Sequence, residues 1–465
     1  RGTGPLLNAL LERLSPPSPD PIPSPARWPV VGHLPMIATR GLLPLVDEQR
    51  RTHGDFFRLY AGKRSLLVAL HPDLVERVLL TDKDAYGKRA AYDGIRVLVG
   101  DGILTSEGEL WRRQRRIAQP SFNRAAIAGL AGKMTASTAR ALDDWSRRLK
   151  VGTEFDIYGE LLPLAMEIIG ETLFSLDLRG KIDSSAAAFT VALEQLSARG
   201  NQLVQLPLHW PTPGNRRLRG ALKTLDDVVF DIIARRRADG GADDDLLAAY
   251  LHARDEQGAP LAPKLIRDEV ITFFLAGHET TAIALAWTFA LLGTHPGVTD
   301  RLLAEVDGLG GRVPTAEDAQ SGLPYTRAVF QEAMRLRPPV WSGGRDVIAD
   351  TELAGHRVHA GEQVLYFPYL LHRDPRFWDD PETFDPERFM PGQPPPRHKL
   401  AYMPFSVGPR MCIGNHFSLL EGTLVLAMIA QRFRFSLSPR ARIEPEFQIT
   451  MRPRHGVLVR VESRR

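Results

Sequence analysis

The only cysteine of the chain, Cys412, stands in Phe405-Ser406-Val407-Gly408-Pro409-Arg410-Met411-Cys412-Ile413-Gly414, directly ahead of an apolar stretch carrying Phe417, Leu420, Leu424 and Val425. A lone cysteine is ordinarily a small buried hydrophobe. Here the flanking glycines let the backbone turn tightly and bring amides toward the sulfur. A cysteine at a helix N-terminus also has its thiolate favoured by the dipole and the free N–H groups. Arg410 can place a cation beside that thiolate or beside the edge of an anionic cofactor. A single cysteine excludes an intramolecular disulfide, a zinc site of two or more thiolates and a cluster held by several. Any chemical task of Cys412 is that of one thiolate.

Three further patterns carry polar chemistry. Ala276-Gly277-His278-Glu279-Thr280-Thr281 interrupts the apolar run from Val270 to Leu292. Glycine weakens a helix ladder and a threonine hydroxyl bonds back to a preceding carbonyl, so the pattern predicts a local widening or kink. An acid beside a hydroxyl at such a point can hold water and pass protons; the alternative is a bent core helix with a satisfied threonine. His278-Glu279 does not open a zinc-protease motif, because Ala282 stands where the second histidine must be. Glu332-Ala333-Met334-Arg335 sets opposite charges on one helix face, although an isolated pair of this kind is ordinarily exposed and of little energetic value. Trp111 and Arg115, four residues apart, can both donate toward one carboxylate. The ordinary alternative is a packed tryptophan among surface arginines.

The pattern Phe-x-x-Gly-x-Arg-x-Cys-x-Gly around Cys412 resembles the haem-binding loop of cytochrome P450 enzymes at every fixed position. The resemblance implies a bacterial-type haem-thiolate monooxygenase using haem b (heme b, iron protoporphyrin IX), with Cys412 as proximal iron ligand, Phe405 near the sulfur, Gly414 beside it and Arg410 at a propionate. Trp111 and Arg115 look like the family's helix at that haem edge, and Arg345 like an arginine that reaches another propionate oxygen. Ala276, Gly277, Glu279 and Thr280 resemble the oxygen-activation motif, which assigns Thr280 to stabilising bound oxygen and Glu279 to proton delivery. Phe384-Asp385-Pro386-Glu387-Arg388-Phe389 resembles the segment whose arginine joins Glu332 and Arg335, so Glu332, Arg335 and Arg388 are implied to form a buried structural triad. The likeness begins near the proline-rich leader and Trp28-Pro29-Val30-Val31-Gly32-His33 and reaches the C-terminal strands. It implies one mainly α domain with a smaller β part around a buried haem, residues 36–465, behind a leader, residues 1–35.

These residues need a scaffold, and the periodicity supplies one. Residues 15–25 hold too many prolines for helix or central strand and read as a stiff, extended leader. Phe56 to Tyr60 and Ser65 to Leu70 read as a hairpin turning at residues 61–64, and His71-Pro72-Asp73 as the start of a helix. Helical patterns follow at 107–119, 123–149, 160–176, 183–199 and 216–238. Beyond Pro338 and Pro339 come short β-like pieces, among them Thr351 to Val358 and Gln363 to Tyr366, and the proline-rich stretch 391–398. A last helix is predicted near 415–431, with strands near 433–437 and 456–461.

The chain has 465 residues, 43% hydrophobic and 25% charged, a net charge of +4 and a pI near 9.2. That balance suits an acidic protein partner, and no nucleic-acid module accompanies it. Arg235, Arg236 and Arg237, followed by Asp243 to Asp245, read as a solvated helix end and loop. No window of about 18 uninterrupted apolar residues predicts a membrane span. Leu6, Leu7, Leu10, Leu11 and Leu14 form a short stripe that packs on the body or touches a membrane. The lone thiol fits a reducing, cytoplasmic setting. With no flavin or ferredoxin-like extension after residue 465, electrons are expected from a separate ferredoxin or flavodoxin and its reductase, steered by Arg112, Arg113, Arg116, Arg397 and Lys399. Stretches 90–104 and 203–210, Phe274, Ala276, Val340 to Gly343 and Ile449 to Met451 are expected to line a pocket for a hydrophobic substrate such as a terpenoid or fatty acid, oxidised with O2. Two alternatives remain: a haem-thiolate enzyme using peroxide or isomerising its substrate, and a non-catalytic haem protein.

Overall fold

A computed structural model describes residues 22–176, 182–200, 206–238, 245–255 and 257–464. Helices dominate, and a five-stranded sheet lies at one side in the order Phe56–Ala61, Arg64–Ala69, Gln363–Tyr366, Gly343–Val347, Tyr86–Gly87. The predicted hairpin is present, with Gly62 supplying the positive φ of its turn. Leu66 pairs in parallel with Gln363, which ties that hairpin to the C-terminal half of the chain. From Ile22 onward the leader lies along the hairpin: Arg58 donates its amide to Pro23, and His33 sits buried between Pro25 and Tyr60. Residues 1–21, with the leucine stripe, lie outside the described residues.

At the centre runs the helix Pro263–Leu292, with proline in its first turn and almost every side chain from Ile266 onward buried. The predicted widening at Gly277 is absent: the α-helical ladder is continuous through all 30 residues. Thr280 bonds the Ala276 carbonyl without breaking it. Gly277 serves close packing instead, since a Cβ there would lie 2.4 Å from Cδ1 of Ile169 on the neighbouring helix Ile157–Leu173. This central helix is long and apolar enough to cross a membrane despite His278 and Glu279. Yet 83% of its most apolar window is buried inside the protein, as befits a core helix.

Other boundaries shift for local reasons. The stretch predicted as one helix over 123–149 breaks at Leu130 into Arg124–Gly129 and Ala131–Arg148. The helix predicted from 160 starts at Ile157, because Asp156 caps it by accepting from the Tyr158 amide. It ends at Leu173, since Ser175 turns to φ +47°. Arg236 is not solvated as predicted. It is buried, paired with Asp245 at 2.9 Å and bonded to the Phe174 carbonyl, because the last turn of Pro213–Ala238 folds onto the end of the Ile157–Leu173 helix. Residues 239–244 lie outside the described residues.

The helix following Cys412, Asn415–Arg432, is packed tightly enough that a Cβ on Gly422 would fall 2.3 Å from the Phe330 ring. Phe330 belongs to Pro324–Leu336, whose Glu332 and Arg335 are both fully buried. Arg335 grips Glu332 with two bonds of 2.6 and 2.7 Å and donates to the carbonyls of His372, Pro381 and Thr383. Glu332 also accepts from the Asp385 amide, and Arg388 stands 3.6 Å from it. A pair with this many satisfied partners pins the 372–388 segment to the helical core. Arg335→Ala leaves the carboxylate buried with its main partner gone, and is expected to destabilise the protein by about 3–5 kcal/mol. Denaturant unfolding checks this: a midpoint equal to that of the parent chain contradicts the assigned role.

Candidate functional site

The cysteine loop is a folded-back turn. Ser406 donates its amide to Met403, Met411 to Gly408 and Cys412 to Phe405, the last at 2.9 Å. Gly408 has φ +76° and lies so close to residue 79 that a Cβ would sit 2.3 Å from the Leu79 carbonyl oxygen. Ser406 adopts φ +59° with its hydroxyl buried and unpartnered. Gly414 caps the following helix, and a Cβ there would lie 3.9 Å from both Sγ of Cys412 and the ring of Phe122.

Cys412 is accessible, yet protein surrounds it closely enough that burial pushes its thiol up. The Gly414 amide, Arg115 and Lys88 pull in the other direction without winning. The predicted thiolate-favouring surroundings are therefore only partly realised. Cys412 lies two residues before the helix cap, outside the first turn where the dipole acts most strongly. A coordinated metal ion deprotonates a thiol outright, so a metal would complete what the loop begins. Arg410 is engaged by an aromatic ring. It stacks 3.9 Å above the Trp111 ring, and desolvation holds its guanidinium down to about 10.

Around this loop converge Arg115, Arg345, Arg410 and a residue the sequence gave no reason to single out, Lys88. Arg115 reaches the Met411 carbonyl at 3.1 Å. Buried Arg345 bonds the Gly344 carbonyl and the Tyr92 hydroxyl. Lys88 donates to the Leu104 carbonyl at 3.0 Å and lies over the Tyr92 ring, and burial lowers its pKa well below the ordinary value. Among the described residues none of these four cations forms an ion pair; one carboxylate, Glu107, acts on Lys88 and Arg410 from nearby but accepts from the Lys88 amide and pairs with Arg89 at 3.6 Å, and Nη1 of Arg410 is buried without a hydrogen-bond partner. Such a cluster calls for an anionic group. Two propionate carboxylates beside an iron-binding thiol fit it in charge and donor type. Lys88 escaped notice because it follows a strand of two residues, too short to show periodicity.

The central helix presents one open face. Ala276 is exposed and Gly277 and Thr280 are half-buried, while the residues before and after them are buried. Phe273 stacks on Phe122 at 5.5 Å, linking this helix to the neighbourhood of Gly414. Phe274, predicted to line the pocket, turns into the core and stacks on Phe174 at 4.8 Å. Glu279 and Thr280 are adjacent in sequence but face different partners. The Thr280 hydroxyl donates to the Ala276 carbonyl at 2.5 Å, whereas Glu279 accepts from the Thr450 hydroxyl at 3.2 Å. Burial raises the Glu279 carboxyl to about 7, with Thr450 and Arg452 opposing the rise. Thr450 falls in the stretch expected to line a pocket, but its pairing with Glu279, 171 residues upstream, and the part played by Arg452 have no signal in the sequence.

A helical body with a small sheet, a cysteine loop with cations around it and a central helix with one open face define a haem-thiolate protein. The Cytochrome P450 family model matches residues 22–460, and the chain belongs to that family of haem-thiolate monooxygenases. It is 36% identical over 419 residues to cyclooctat-9-en-7-ol 5-monooxygenase of Streptomyces melanosporofaciens, spanning 90% of each protein. It is 34% identical over 424 residues to pentalenene oxygenase of Streptomyces avermitilis, spanning 91% of this chain and 93% of that one. The crystal structure of the cytochrome P450DA heme domain superposes with a TM-score of 0.84 at 30% identity, covering 96% of this chain and 98% of that chain.

Because the folded Glu279 pKa lies above its ordinary value of 4.5, the stability its protonated form contributes is fully present below about 4.5 and lost as pH rises through about 7. Thr450→Val removes a bond that favours the anion and is expected to move the Glu279 titration upward. Carboxyl infrared titration, with Glu279→Gln identifying the band, checks it; an unchanged or lowered midpoint contradicts the assignment.

Proposed function

We propose that this monooxygenase inserts one atom of O2 into a C–H or C=C bond of a hydrophobic small molecule, such as a terpenoid or fatty acid, with electrons from a separate ferredoxin or flavodoxin system. The observation that carries the reading is the cluster of Lys88, Arg115, Arg345 and Arg410 around the Cys412 loop, none of which forms an ion pair among the described residues. When bound, haem iron with a thiolate ligand supplies the O–O cleavage chemistry. In this reading Cys412 holds the iron and Phe405 and Gly414 shape the loop around the sulfur. Trp111 orients Arg410, and Arg410, Arg115, Arg345 and Lys88 hold the propionates. Ala276 and Gly277 leave room on the opposite face. Thr280 offers its hydroxyl there once it releases the Ala276 carbonyl, and Glu279, balanced near pH 7 against Thr450, supplies and recovers protons.

A hydrophobic substrate is supported by the relatives named for cyclooctat-9-en-7-ol and pentalenene. It is also supported by apolar side chains left exposed at Val97, Leu206, Val340 and Ile449. Two of the expected lining stretches meet, since Met451 donates its amide to Pro339 and the Trp341 indole donates to Gln448. Residues 201–205 of a third lie outside the described residues. The electron donor is assigned to the side of Trp111 and Arg115, where a depression of about 610 Å³ is bordered by Arg112 and Arg116. Arg112, Arg397 and Lys399 already pair with Glu109, Asp379 and Glu76, and Arg113 is half-buried. Arg116, exposed and with no ion pair among the described residues, is therefore the main steering charge. A cytoplasmic setting is supported by the single free thiol.

With 18O2, a reducing system and a library of terpenoids and fatty acids, one labelled oxygen is expected in the product; turnover by peroxide alone, with no use of O2 and reductant, contradicts the reading. Arg116→Glu is expected to slow reduction by an acidic donor by about tenfold or more at low salt and to weaken its salt dependence. Stopped-flow reduction at two ionic strengths checks this, and unchanged rates contradict the docking side.

A further inference from the structure

Glu421 is a buried carboxyl to which the mechanism above gives no task. It lies on the helix Asn415–Arg432, nine positions beyond Cys412, with none of its surface exposed. Neither carboxyl oxygen has a hydrogen-bond partner of good geometry. Burial raises the group to about 8, and among the described residues the one polar neighbour acting on it is the Thr281 hydroxyl, which favours the anion. The nearest hydroxyl on its own helix, Thr423, is turned to the Leu419 carbonyl. Glu332 and Arg335 on the packed helix Pro324–Leu336 are spent on each other and on residues 372–385. Among the described residues no charged side chain therefore offsets the burial of Glu421. An unsatisfied buried group of this kind is costly to the fold, and its presence points to a catalytic use or an ordered water.

Its position says which use. Thr281 follows Thr280 on the central helix, and successive helical side chains point about 100° apart. Thr280 faces the open side, and Thr281 faces Glu421. Glu279, two residues earlier, points about 200° away from Thr281, toward Thr450. The central helix is thus flanked by two buried carboxyls, on opposite sides of the one hydroxyl that faces the open space.

We propose that Glu421 is a second proton store for the reaction, acting through the Thr281 hydroxyl and one ordered water on the side of the helix away from Glu279. The inference rests on the monooxygenase reading. Inserting one oxygen consumes O2, two electrons and two protons; one oxygen goes to the substrate and the other leaves as water. Protonated Glu421 gives its proton to the Thr281 hydroxyl as that hydroxyl releases its own through the water toward Thr280. This leaves a carboxylate that takes a proton back from bulk water before the next turnover. Glu421 touches none of the reacting groups and is a positioning residue for the proton.

Two measurements on the holoenzyme test it. In infrared titration, wild-type protein is expected to show a protonated-carboxyl band that bleaches near pH 8. The band should be absent in Glu421→Gln, kept in Glu279→Gln and shifted to higher pH in Thr281→Val, which removes the anion-favouring hydroxyl. In turnover with a reducing system, wild type should lose product per electron, with peroxide rising to match, as pH passes 8. Glu421→Gln and Thr281→Val should lose most of that coupling already at pH 7, and Glu421→Asp should recover part of it. A Glu421→Gln enzyme that keeps the band, or keeps wild-type coupling and pH profile, overturns the proposal. Should that variant fail to fold, Thr281→Val with unchanged midpoint and coupling overturns it equally. Wild-type protein that yields no oxygenated product contradicts the monooxygenase reading itself, a result distinct from normal wild-type coupling beside an unaltered variant.

Discussion

Four desolvated cations held together with only one nearby carboxylate among the described residues, Glu107, which pairs with none of them, set the constraint to which the rest of this structure answers. Lys88, Arg115, Arg345 and Arg410 repel one another, and each has given up hydration to reach its place. The fold tolerates this by supplying neutral partners: the Leu104, Met411 and Gly344 carbonyls, the Tyr92 hydroxyl and the Trp111 face. These orient the cations without neutralising them. In the proposed reading a haem carrying two carboxylates would supply charge of the opposite sign, so that binding the cofactor would also stabilise the folded chain.

The loop that brings the thiol to this place is held from elsewhere. Gly408 lies against the Leu79 carbonyl, and Glu332 with Arg335 fastens the 372–388 segment that precedes the loop in the chain. The Phe122–Phe273 stack connects the cysteine side of the site to the central helix. Across from it the helix shows just the small open patch at Ala276, Gly277 and Thr280, with a buried carboxyl on each flank. The cation cluster and the two buried carboxyls therefore lie in different layers of the molecule, as the proposed division between holding the cofactor and storing protons requires.

Much of this was legible in the sequence, because it rests on local spacing. The cysteine loop, the Glu332–Arg335 pair and the hairpin at residues 56–69 are fixed by neighbours in the chain. What was missed depends on distant contacts or on a competition of energies. Nothing around Lys88 announces that it will meet Arg345, and nothing around Thr450 announces Glu279. Gly277 was read as a helix weakener, whereas Ile169 on another helix explains it. Arg236 was read as solvated because its triplet looks like surface, yet Asp245 and the Phe174 carbonyl draw it inside. The cysteine's surroundings were read as favouring the thiolate, but desolvation outweighs the nearby cations. Only the folded chain supplies that balance.

The central claim is that the Cys412 thiolate would hold the haem iron, and the reduced, CO-bound difference spectrum tests it most directly. Wild-type protein is expected to show the red-shifted Soret band of a thiolate-ligated haem, and Cys412→Ser protein that still retains haem is expected to lose it. Wild-type protein that holds stoichiometric haem without that band, or a Cys412→Ser protein that keeps it, would contradict the account.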